Sequence, residues 1–154
     1  MALLEVGDHA PDITARRRDG STLTLSSLRG CHVLVYFYPK DDTPGCTAEA
    51  CDLNDNLTAL SETGTDVIGV SSDSWEAHAR FANKYGLEFG LAADRDHSIR
   101  KAYGVGRMLG ILPAVQRVSF LIGPDGRVAH VWPTVDAAHH AAAVLQEVRS
   151  QRAA

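Results

Sequence analysis

Apolar positions along this chain alternate between the spacing of strands and the spacing of helices. His32 to Tyr38 (HVLVYFY) is a continuous β-branched and aromatic block, the pattern of a buried central strand, and Pro39 ends it. Thr43 then offers a capping hydroxyl and Pro44 a first helical position. Ala50, Leu53, Leu57 and Leu60 recur on one face, which predicts a helix from Cys46 to Ser61. Asp66 to Ser71 reads as a strand, and Ser74 to Tyr85 as a helix capped by Ser74 and closed by Gly86. A short extended piece near Leu91 and a helical turn from Asp96 to Tyr103 follow. Arg117 to Ile122 and Arg127 to Trp132 flank a Pro124-Asp125-Gly126 turn as an antiparallel pair, and a helix from Val135 to Arg149 closes the chain. Before all of these, Thr22 to Leu25 predicts an edge strand ahead of a Leu28-Arg29-Gly30 turn.

Strand-helix alternation ending in a hairpin and a helix predicts an α/β fold, a central mixed β-sheet flanked by helices in a thioredoxin-like arrangement. The 154 residues, 45% hydrophobic and 22% charged, suit one domain spanning residues 1–154. Net charge is −4, and Lys and Arg are scattered except for Arg16-Arg17-Arg18, read as a solvated turn. No basic stripe for nucleic acid is present. Neither a signal-peptide pattern nor a stretch approaching ~18 apolar residues occurs, so a cytoplasmic protein without membrane attachment is expected. In that compartment three cysteines read as catalytic, metal-binding or inert thiols rather than a structural disulfide framework.

Cys46 falls in the first turn of its predicted helix, where backbone N–H groups lack helical partners and the macrodipole is positive. A thiolate is favoured there, so Cys46 reads as a nucleophile. It shares the inward face with Ala50 and Leu53, whereas Cys51 lies on the flank. Five residues along an intact helix place two Cα atoms ~8 Å apart with side chains turned by ~140°, beyond disulfide reach. Bonding between the two therefore requires the first turns to unwind. An inward thiolate that attacks and a flanking thiol that resolves the product suit a peroxide O–O bond as the electrophile. Arg117, near the start of a neighbouring strand, is the candidate cation for the departing oxygen, and Thr43 the candidate hydroxyl near sulfur and peroxide. Glu49 is placed to orient an arginine by a bidentate contact.

Pro39-x-x-x-Thr43-x-x-Cys46 resembles the active-site motif of the peroxiredoxins. The stretch Tyr38 to Thr47 with Cys51 is similar to that family's Q-type branch, the bacterioferritin comigratory proteins. Gly7-Asp8-His9-Ala10-Pro11-Asp12 and Arg117-Val118-Ser119-Phe120 resemble its other landmarks, so the likeness spans about residues 5 to 150. The resemblance implies Cys46 as peroxidatic and Cys51 as resolving cysteine, with Thr43 and Arg117 positioning and polarising the peroxide, Pro39 shielding the sulfenic acid and Glu49 holding Arg117. It also implies a hydroperoxide substrate, no metal, haem or flavin cofactor, and re-reduction by thioredoxin or a similar dithiol. A monomer or weak homodimer is the expected assembly. The Val105–Gln116 segment, with Pro113, departs from the branch in being shorter and less aromatic.

Other readings compete. A thioredoxin-like protein disulfide oxidoreductase lacks its Cys-x-x-Cys here, and a peroxide sensor would share the first oxidation but not turnover. Cys31 reads as structural, Asp41 and Asp42 as a solvated loop, and His139-His140 as part of a surface helix rather than a metal site. Gly104-x-Gly106-x-x-x-Gly110 reads as a loop, not a dinucleotide fingerprint.

Overall fold

The structure, a computed structural model, describes residues 2–106 and 115–153. Among them, strands β1 (Thr14–Arg16), β2 (Thr22–Thr24), β3 (His32–Phe37), β4 (Thr65–Ser71), β5 (Gly90–Ala93), β6 (Val118–Ile122) and β7 (Val128–Trp132) form one mixed sheet. Its order is β2-β1-β5-β4-β3-β6-β7. The apolar block of β3 occupies an interior position, parallel to β4 and antiparallel to β6, with every residue buried. Phe37 pairs with Val118, so Arg117 arrives beside the point where the chain leaves β3 for the 39–43 loop.

Five α-helices accompany the sheet in the described residues: α1 (Pro44–Asp55), α2 (Leu57–Glu62), α3 (Trp75–Tyr85), α4 (Ser98–Ala102) and α5 (His140–Ala153). Strand alternation divides the core. Leu34, Tyr36 and Tyr38 face one way, onto Cys46, Ala50 and Leu53 of α1, Phe81 of α3 and Val144 of α5. Val33, Val35 and Phe37 face the other way, where Ile13, Leu25 and Tyr103 cover them. The longer helices thus share one side, and the N-terminal segment with the 3₁₀ turn Leu25–Leu28 and α4 fills the other. Gly69 allows a close approach within the sheet, since a Cβ there would lie 2.9 Å from both Leu91 and the Tyr36 ring.

Several elements differ from their sequence reading. β1 was not predicted, because its three residues bury Ala15 alone and carry no apolar alternation. The Cys46–Ser61 helix starts earlier, at Pro44, and breaks at Asn56, whose backbone leaves helical geometry and whose side-chain amide donates to the Asp52 carbonyl (2.8 Å). The last helix starts later, because Asp136 caps a 3₁₀ turn over Ala137–His139 before α5 begins. The arginine trio is partnered rather than merely solvated: Arg16 lies over the Trp75 ring, Arg17 pairs with Asp66 and Arg18 with Glu88. Most of the Val105–Gln116 segment, with Pro113 and Gly110, lies outside the described residues.

Candidate active site

Cys46 sits in the first turn of α1, 2% exposed, with Thr43 as the extended N-cap residue and Pro44 opening the helix. The amides of Gly45 and Cys46 precede the first helical hydrogen bond, Thr47 N–H to the Thr43 carbonyl (2.8 Å), and so have no helical acceptor. Burial comes from the apolar stripe of α1 seated on Tyr36 and Tyr38, so the packing that holds the helix also walls the thiol.

Arg117 is brought to this thiol from the far side of β3. One guanidinium nitrogen lies 3.5 Å from the Cys46 sulfur, and another donates to Glu49 Oε1 at 2.6 Å. Burial opposes the arginine charge, but Glu49 and then Cys46 outweigh it, leaving its pKa above the ordinary value. The guanidinium passes directly over Gly45, where a Cβ would stand 3.1 Å from Nη2. A side chain at that position would compete with Arg117 for the same space.

Glu49 is fully buried, and its contact with Arg117 is single rather than the bidentate fork read from the sequence. Among the described residues Oε2 has no hydrogen-bond partner. Burial drives its pKa up to about 7, against the pull of Arg117. The Thr43 hydroxyl does not cap α1. It donates instead to the Lys40 carbonyl (2.8 Å), which commits its proton and leaves its oxygen able to accept. Pro39 is half-buried at the exit of β3.

Cys51 is half-buried and, like Cys46, a free thiol. Burial and then Asp55 raise its pKa, so it stays protonated while the helix is whole. Cys31, read as structural, is exposed at the entrance to β3 rather than buried in the core. Asp41, read as solvated, is buried, whereas Asp42 is exposed and bonded to Lys84 and Tyr85. His140, read as a surface residue, is buried against Ser119 Oγ (2.8 Å). Burial, then Arg117, hold it neutral with a pKa near 4.

A family model described as AhpC/TSA matches residues 6–131. Peroxiredoxin Bcp of Escherichia coli K12 is 40% identical over 149 residues, covering 94% of this chain and 96% of that one. The chain belongs to the peroxiredoxin family, in its Bcp/Q branch.

Two solved structures of the branch align with this peroxiredoxin over nearly its whole length. A cysteine-to-serine mutant of Xylella fastidiosa PrxQ matches with a TM-score of 0.90 and 30% identity, covering 99% of each chain. The Xanthomonas campestris bacterioferritin comigratory protein, studied for its alkyl peroxide reduction, matches with a TM-score of 0.83 and 34% identity, covering 98% of this chain and 99% of that one. The fold expected from the sequence is the fold of these relatives.

Two outcomes test the geometry. Gly45→Ala should slow oxidation of Cys46 by peroxide by about tenfold, because the guanidinium must move by a few tenths of an ångström. The thermal midpoint should hold or rise, since alanine is the better helix former. Stopped-flow oxidation and thermal unfolding read the two effects separately. The rate should also fall as pH drops through about 7, where Glu49 takes up a proton and its charge-assisted hold on Arg117 is lost. In Glu49→Gln that inflection should vanish from the pH-rate profile.

Proposed function

We propose that this peroxiredoxin reduces hydrogen peroxide and organic hydroperoxides through Cys46, resolves the oxidised sulfur with Cys51, and is recycled by a dithiol such as thioredoxin. The observation that carries the reading is the guanidinium of Arg117 lying 3.5 Å from the Cys46 sulfur while anchored on buried Glu49. A cation fixed in a water-poor site is available to charge that develops on an oxygen leaving the sulfur, without reorganising first.

In this scheme the Cys46 thiolate attacks one peroxide oxygen, an S–O bond forms and the O–O bond breaks. The departing alkoxide or hydroxide, stabilised by Arg117, takes up a proton and leaves as alcohol or water. Thr43, its own proton committed to the Lys40 carbonyl, accepts a hydrogen bond from the hydroperoxide O–H and sets its approach. Pro39 shields the sulfenic acid from the side of β3.

Resolution needs α1 to open. Asp52 accepts from the Ala141 amide at the start of α5 (2.8 Å), and Asn54 holds the Gly86 carbonyl and the Glu88 amide. These anchors limit unwinding to the turns from Pro44 to Cys51, the segment that holds both sulfurs. Once unwound, Cys51 leaves the surroundings that raise its pKa, attacks the Cys46 sulfur and releases water as the disulfide forms. The partner dithiol then exchanges with that disulfide in a cytoplasmic setting. No helix among the described residues is long and apolar enough to cross a membrane.

A thiol map after one equivalent of hydrogen peroxide tests the cycle. The wild-type chain should give a Cys46–Cys51 linkage with Cys31 fully alkylated, and Cys51→Ser should stop at Cys46 sulfenic acid or a mixed disulfide. Peroxide consumption by Cys46→Ser equal to that of the wild type would refute the assignment.

A further inference from the structure

The 39–43 loop is held by a buried cluster that the peroxide chemistry above does not use. His78 on α3 is 3% exposed, and its Nε2 faces the Ala92 carbonyl of β5 at 2.9 Å. A carbonyl only accepts, so Nε2 carries a hydrogen. Nδ1 faces Asp41 Oδ2 at 2.6 Å, and Tyr38 donates its hydroxyl to Asp41 Oδ1 at 2.6 Å. With Nε2 already carrying a hydrogen, the short contact between Nδ1 and Oδ2 is a second hydrogen bond that ties imidazole to carboxyl. Burial, together with Tyr36 and Asp41, keeps the Tyr38 phenol protonated, so it remains a donor. The Asp41 carboxyl is thus satisfied on both oxygens inside the protein.

We infer that His78 is a positioning residue for peroxide reduction: acting through Asp41, it fixes the Lys40–Asp41 peptide on which the Thr43 hydroxyl is oriented. That peptide is gripped from both sides. Its N–H donates to Asp73 Oδ2 at 2.9 Å, and its carbonyl accepts from Thr43 Oγ1 at 2.8 Å. Asp73 is itself held by Ser71 Oγ at 2.6 Å. Asp41, Asp73 and His78 are ligand-type side chains gathered within 4.8 Å, but their contacts are hydrogen bonds to one another, to Tyr38 and Ser71, and to the backbone.

Removing the Nδ1 donor leaves a buried carboxyl half satisfied, and the group relaxes toward solvent. The peptide turns with it, the Lys40 carbonyl leaves the Thr43 hydroxyl, and Thr43 ceases to be a pure acceptor for the peroxide O–H. The polar contact of the sulfur is unaffected, because it comes from Arg117, which the cluster does not touch; Tyr38, shared between the cluster and the packing around the thiol, keeps its place through its core contacts. The inference rests on Cys46 as the attacked thiol and Thr43 as the peroxide acceptor.

The test compares two electrophiles on the full chain: hydrogen peroxide, which has an O–H for Thr43, and iodoacetamide, which has none. His78→Gln keeps a donor for Ala92 but none for Asp41, and should slow oxidation of Cys46 by about tenfold or more while alkylation stays within about twofold. His78→Asn places an amide at the Nδ1 position and should recover most of the peroxide rate. Half-buried Asp73→Ala, which frees the peptide N–H without opening the core, should repeat the His78→Gln pattern and decides alone if that variant does not fold. Wild-type peroxide rates in these variants, or equal loss of both reactions with no recovery in His78→Asn, would overturn the inference. If Cys46 of the wild-type chain is not oxidised, the reading of the site fails first and the inference falls with it.

Discussion

A single guanidinium ties this protein together. Arg117 reaches from the start of β6 to two buried groups of α1, the Cys46 sulfur and the Glu49 carboxyl. Both approaches require a desolvated cation, and a desolvated cation is tolerable only with an anion beside it. Glu49 supplies that anion at its own cost, since full burial drives its pKa up to about 7. The antiparallel register of β3 and β6 sets where the guanidinium emerges, and the absence of a side chain at Gly45 lets it pass.

In the cycle proposed above, the same helix has two conflicting duties. Its first turn must stay formed to present Cys46, yet the intact helix keeps Cys51 away from it. The structure separates these demands along the sequence. Apolar contacts of Leu53 and the anchors at Asp52 and Asn54 secure the far end of α1, and the break at Asn56 isolates it from α2. The near end has no side-chain cap, because Thr43 turns its hydroxyl to Lys40, and it is the part that the proposed cycle would open.

Much of this was legible in the chain. The apolar block of β3 and the helix start at Pro44 are local patterns that hold, whereas the Thr43 hydroxyl does not cap the helix and the apolar stripe is divided between α1 and α2 at Asn56. Arg117 was readable as the partner of Cys46 because an attacking thiolate calls for a cation and Arg117 stands at the start of the strand expected to neighbour β3. What escaped was set by tertiary context. Asp41 looked solvated because its partner His78 stands on another element, and nothing in the local sequence of either announces the other. His140 looked exposed beside His139, but the 3₁₀ turn that ends at His139 rotates His140 inward to Ser119. β1 is too short for its pattern to register, and the fork expected at Glu49 became a single contact.

The most direct test of this account is the second-order rate of Cys46 oxidation by hydrogen peroxide, measured by stopped flow in the wild-type chain and in Arg117→Ala and Arg117→Lys. Loss of about a hundredfold in Arg117→Ala is predicted, the scale of removing one preorganised donor from developing charge. Arg117→Lys should recover only part of it, because one ammonium cannot serve Glu49 and the sulfur together. A rate in Arg117→Ala close to that of the wild type would contradict the claim that this guanidinium makes the site.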